Sequence, residues 1–214
     1  MRNNKRISPY ILFNSGSTKL LWAMIPFWLL IGCGVTKYIP EDEKLYTGAS
    51  LEINRDFSVK GYKNISAELE GLLKPEPNTK ILGMRIGLWS YYKMQKENPG
   101  FINRFIYKKI GEEPVYLKSV ESVKTQELIL NRLDNNGFFY SEVDSEIIQK
   151  SKTASLKYTV GLAKPYQLAF YQYENDSLPI DRNIQELLKS TEITEGDYFS
   201  LELMKNERER LNEG

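Results

Sequence analysis

Few of the 214 residues have side chains suited to covalent or acid–base chemistry. The chain carries a single cysteine, Cys33, and no histidine. One thiol can form no internal disulfide, and without imidazole neither the common general base nor a Cys/His zinc cluster can be assembled. The remaining candidates are carboxylates, of which Glu142, Asp144 and Glu146 fall on alternate positions. Alternation places all three on one face of a strand. That face is either a catalytic carboxylate cluster or a solvated surface. No base or metal partner accompanies the acids, and alternating charge is what a solvated strand face needs. The expectation is a protein that is not an enzyme and takes no cofactor and no metal.

Cys33 is placed for attachment. Arg2, Lys5, Arg6 and Lys19 precede it with no acidic residue, followed by an apolar run from Leu20 to Gly32. Thirteen helical residues would reach roughly 20 Å, short of the ~30 Å hydrocarbon core, and Pro26 argues further against a span. Leu30-Ile31-Gly32-Cys33 resembles the lipobox of bacterial lipoproteins, which implies a cut between Gly32 and Cys33 and a diacylglyceryl group on the thiol. Each buried methylene contributes about 0.8 kcal/mol, so two or three acyl chains on one residue anchor a protein effectively permanently. Residues 1–32 are then a signal peptide, and the mature chain has 25 Lys and Arg against 28 Asp and Glu. That balance points away from nucleic acid. Residues 33–43, polar and containing Pro40, read as a lipidated tether with a reach of roughly 35 Å.

The elements that follow alternate between two periods. Ala49, Leu51 and Ile53 alternate with polar residues as in a half-buried strand. Ile65, Leu69, Leu72 and Leu73 form a helical stripe, with Asn64 as its expected cap and Pro75 beyond its end. A second helix is expected from about Ser119 to Asn136, with Val123, Ile129, Leu130 and Leu133 as apolar positions and Gly137 in the left-handed position after it. Val143 and Ile147, then Leu156, Tyr158, Val160 and Leu162, read as two strands of an antiparallel hairpin. The order is βααββ, an α+β domain over 44–163 with two helices on one face of a three-stranded mixed sheet. From Pro165 the pattern restarts. Tyr166–Tyr173 is strand-like, Asp181 is expected to cap a helix, and Gly196–Ser200 opens another. A second unit over 165–214 without its last two strands would expose apolar helix faces, so the chain reads as a piece of a longer one.

This βααββ order, with Gly137-Phe138-Phe139 after its second helix, resembles the POTRA domain of the BamA and TamA family of outer-membrane assembly proteins. Pro77-Asn78-Thr79-Lys80-Ile81-Leu82-Gly83, Asn103-Arg104-Phe105 leading to Ile110-Gly111-Glu112-Glu113-Pro114, and Gly161-Leu162-Ala163-Lys164-Pro165-Tyr166 are similar to the lipid-bearing TamA-type members of the Bacteroidetes. Tyr38-Ile39-Pro40 is similar to their tether. The resemblance implies placement on the periplasmic face of the outer membrane and a role in outer-membrane protein assembly or translocation. Its implied partners are unfolded outer-membrane proteins or other assembly-machinery subunits, held by strand addition to a sheet edge formed by the first strand or by Ser141–Ile148. The family's C-terminal barrel is not in these 214 residues. The competing reading is a non-enzymatic envelope lipoprotein that uses POTRA-like domains as a scaffold.

One stretch, from about 80 to 113, falls outside the βααββ pattern. It is rich in aromatics, among them Trp89, Phe101 and Phe105, and Phe101, Ile102, Phe105, Ile106 and Ile110 form a helical stripe beside Arg104, Lys108 and Lys109. Trp89, Phe101, Arg104, Phe105 and Lys108 are its candidate membrane or partner surface. The favoured reading is that the stripe packs as extra core, the usual fate of aromatic residues at helical spacing.

Overall fold

The computed structural model describes residues 34–174 and 180–213. Gly32, Cys33 and the signal segment lie outside the described residues. The described chain forms two compact units, one of residues 34–38 with 79–113, the other of 39–78 with 114–174 and 180–213.

The larger unit holds the sheet. Its elements are β1 (Leu45–Asn54), α1 (Tyr62–Glu70), α4 (Ser122–Asn135), β2 (Glu142–Gln149), β3 (Thr153–Gly161), α5 (Asp181–Leu188) and α6 (Leu201–Glu213). The smaller unit supplies α2 (Ile86–Met94) and α3 (Phe101–Ile110). The fold is α+β with a three-stranded mixed sheet in the order β1-β3-β2, β3 running parallel to β1 and antiparallel to β2. The sequence pattern leads to these three strands and to a mixed sheet, and their order emerges only here.

Period two on β3 explains the core. Ala154, Leu156, Tyr158 and Val160 are buried while their neighbours are half-exposed. Leu69 of α1 and Ile129 and Leu133 of α4 pack with that face, together with Tyr46 and Phe138. On α4 the buried row is Thr125, Ile129 and Leu133, spaced by four. The expected Val123 stands 64% exposed because position 123 is off the row that four-residue spacing defines. Asn64 does not cap α1: the helix begins at Tyr62, with Gly61 before it in a left-handed conformation. Gly137 does sit after α4 at φ 83°. A Cβ there would also come within 3.0 Å of the Phe199 carbonyl, so both the backbone angle and the close approach require glycine.

Three further expectations change. Residues 166–173 form no strand. The Tyr166 amide donates to the Gly137 carbonyl at 2.9 Å, and Gln167 makes one isolated bridge to Tyr198. Its backbone bonds run to Gly137 and to the turn at 196–199, and neither is a strand, so the segment stays extended without building a ladder. Ile180, not Asp181, occupies the cap position of α5, which starts at Asp181 itself. Segment 34–43 is likewise no free tether. In the smaller unit Val35 is buried and the Tyr38 ring stacks on Tyr92 at 5.5 Å. In the larger unit Ile39 is buried, Lys152 donates to the carbonyls of Ile39 and Pro40, and the buried Glu43 is ion-paired with Lys118. Apolar residues at 35 and 39 are what fold it down, since each gains roughly 1.5–3 kcal/mol by leaving water.

Candidate functional site

A central strand is saturated on both sides, so only β1 and β2 have backbone groups to offer. At β1 the start of the outer edge is already used. The Tyr46 amide donates to Val115, the Leu117 amide donates to Lys44, and Pro77 lies against Gly48.

At β2 the outward-pointing groups follow from the register. Opposite residues of an antiparallel pair alternate between bonded and non-bonded pairs. The Lys150 amide donates to the Thr153 carbonyl at 2.8 Å, which makes 150/153 a bonded pair. Stepping back through the register of Gln149 on Ala154 and Val143 on Val160, Glu142, Asp144, Glu146 and Ile148 bond inward to β3. Val143, Ser145, Ile147 and Gln149 direct their N–H and C=O away from the sheet. One of these is covered: the Gln126 side-chain amide of α4 donates to the Val143 carbonyl at 3.2 Å. From Ser145 to Gln149 no described strand lies alongside. Five residues at about 3.4 Å each give roughly 17 Å of open edge. Its apolar end is made by Ile147, 47% exposed, and Ile148, 41% exposed, whose side chains fall on opposite faces.

The acids Glu142, Asp144 and Glu146 share the face opposite the core and are exposed. The central cation there is Lys157, which pairs with Glu52 at 2.6 Å. Its ammonium is held above the usual lysine range, first by the hydrogen bond and charge of Glu52 and further by Glu146. Among the described residues no group of His, Cys, Asp and Glu is arranged to hold a metal. The strand face is a solvated charge ladder, and it blunts one end of the β2 edge.

The 79–113 residues are organised differently from the favoured expectation. The α3 stripe is not core: none of its residues is buried, and Phe101, Ile102 and Phe105 are 82%, 70% and 57% exposed. Only Asn103, Ile106 and Tyr107 are half-buried, with the Tyr107 ring 6.4 Å from Tyr91 of α2. Gly87 explains why so few side chains suffice to hold the pair together. It is buried and so close to the Ile110 carbonyl that a Cβ would collide, and backbones that meet this closely leave the other sides of α3 to solvent. The exposed face brings together Phe101, Arg104, Phe105 and Lys108. Trp89 stands apart from that exposed set, half-buried on α2 with the Lys93 ammonium 5.4 Å from its ring centre.

Sequence reasoning did not pick out Leu82. It is 88% exposed at the tip of a tight turn closed by two bonds between Ile81 and Met84, and its φ is 49°. With Gly83 at φ 78°, the turn has the two positive central angles of type I′, for which Asn-Gly is the preferred pair. An adjacent Gly and the preceding polar Asn78-Thr79-Lys80 were the available signal. Leu82→Asn is expected to raise stability by about 1 kcal/mol, because leucine in the left-handed region is strained and asparagine is not. Urea unfolding measures it, and an unchanged or lowered midpoint contradicts the strain.

No family model matches the chain, and no curated protein matches it. Among solved structures, it is similar to the crystal structure of POTRA domains 3 to 5 of BamA from Haemophilus influenzae. That likeness covers 82% of this chain and 88% of the other, at 12% identity and a TM-score of 0.29. A likeness this distant carries no argument about activity or partners.

Proposed function

We propose that the chain is the periplasmic POTRA-like module of a lipid-anchored BamA/TamA-type outer-membrane assembly protein, and that β2 captures an extended segment of a client or partner. The observation that carries this reading is the open backbone edge from Ser145 to Gln149 beside Ile147 and Ile148. An added strand satisfies outward N–H and C=O groups in register, each bond contributing a net ~0.5–1.5 kcal/mol, and covers apolar surface on both faces. Backbone pairing asks little of the captured sequence, which suits a protein that handles many unfolded clients. The βααββ order and the lipobox-like Cys33 support the same placement. Glu142 to Glu146 favour one polarity of the incoming strand by leaving the apolar end free.

A photo-reactive residue placed at Ile147 in the full chain, expressed in its envelope, tests this. Crosslinks to unfolded outer-membrane proteins or to assembly subunits are expected at 147 and not at the exposed Lys63 of α1. Equal labelling at both positions, or none at 147, overturns it.

A further inference from the structure

We propose that α3 is a docking face for an anionic lipid surface, lying in the headgroup boundary with Phe101, Ile102 and Phe105 inserted and Arg104, Lys108 and Lys109 on the phosphates. This rests on the membrane anchoring of the proposed function and adds a second, non-covalent contact to it.

The first support is chemical. A ten-residue helix that buries none of its side chains and exposes two phenylalanines and an isoleucine is costly in water unless something covers it. It carries three cations and no acid, and Arg104 is pinned at its start by donation to the Pro99 carbonyl at 3.1 Å. Apolar and basic residues together on a helix too short to span are the composition of an interfacial helix. Among the described residues no helix is long and apolar enough to cross a membrane.

The second support is the uneven charge. Residues 79–113 hold seven Lys and Arg against three Glu, while the rest of the mature chain holds 18 against 25. The cations are concentrated in the unit that bears the exposed helix, which complements a negative surface over the Debye range.

The third support is position, and it selects a bilayer over a soluble partner. Val35 is buried in the same unit as α3, and Tyr38 stacks on Tyr92 of α2. Cys33 is two residues from that fixed point, a reach of roughly 7 Å. Whether Cys33 is acylated or still joined to the apolar run 20–32, the membrane-bound part leaves the chain beside this unit. A ten-residue tether would have let the unit stand off; two residues hold it at the surface.

Tryptophan quenching tests this in the full chain. With Trp22, Trp28 and Trp89 changed to Phe, a Phe101→Trp substitution supplies the sole indole whether or not the chain is cut. In vesicles of phosphatidylglycerol and phosphatidylcholine with brominated acyl chains, its emission is expected to fall at least about twofold. Adding Arg104→Glu and Lys108→Glu should abolish that quenching. Mass spectrometry of the same sample reports acylation at Cys33 independently. An acylated, vesicle-bound chain whose introduced indole stays unquenched overturns docking and leaves the anchor standing. Quenching of that indole on an unacylated chain does the reverse. Quenching that survives charge reversal and is equal on neutral vesicles overturns the anionic specificity. An indole shielded from water but insensitive to bromine overturns lipid docking and assigns the face to a protein partner.

Discussion

A chain carrying Ile147→Pro is expected to keep nearly all its stability and to lose strand capture, whereas Ile148→Pro is expected to be strongly destabilised. The two residues are adjacent, similarly exposed and chemically identical, and they differ in where their amides point. The Ile147 N–H faces outward, so proline there removes no bond to β3 and costs about 1 kcal/mol for lost packing and altered φ. The Ile148 N–H bonds across the 148/155 pair, so proline there deletes a ladder bond and strands a carbonyl, a cost of roughly 3 kcal/mol. For a ten-residue amphipathic peptide with the alternation of a barrel strand, Ile147→Pro should weaken binding at least about tenfold, equivalent to about 1.4 kcal/mol. Anisotropy with the labelled peptide, alongside urea unfolding, separates the two effects. Equal destabilisation by both prolines would place the outward register elsewhere.

The second large effect is at Cys33. Cys33→Ser removes the only thiol, and the chain should then carry no palmitate label and accumulate as an unprocessed or soluble form. The change is close to all-or-none because two or three acyl chains, at about 0.8 kcal/mol per methylene, give membrane residence that no rim of surface charge matches. Metabolic labelling with palmitate decides it, and label retained on the serine variant removes the claim. The folded segment 35–43 sharpens the consequence. An extended tether would allow the first domain to lie about 40 Å from the lipid; with Val35 buried, the proposed anchor at Cys33 would leave the 79–113 unit only two residues of slack.

Features that repeat along the chain are legible in its sequence. Period two on β3 and period 3.6 on α1 and α4 are visible in single residues, and Gly137 announces its left-handed angle because little else fits after a helix. Three features are not legible. Register is one: the choice between β1 and β2 as the open edge depends on Val115 and Leu117 pairing with Lys44 and Tyr46, a long-range contact with no local signature. The fate of the α3 stripe is another, since an apolar stripe records that a face must be covered and not by what. It reads as core in the sequence because the close approach at Gly87, which leaves the phenylalanines outside, is a tertiary fact. The last is segment 34–43, where Pro40 and neighbouring charges suggest a linker and two buried residues, Val35 and Ile39, are too few to form a pattern.

Amide hydrogen exchange of the mature chain with and without the barrel-strand peptide tests strand capture at β2 most directly. In the free protein the amides of Asp144, Glu146 and Ile148 should be protected by β3, while those of Ser145, Ile147 and Gln149 exchange at rates near those of an unstructured chain. Saturating peptide should slow Ser145, Ile147 and Gln149 by at least about tenfold and leave the other three unchanged. Peptide that binds without slowing those three amides, or that slows β1 amides instead, would contradict the assignment of β2 as the capturing edge.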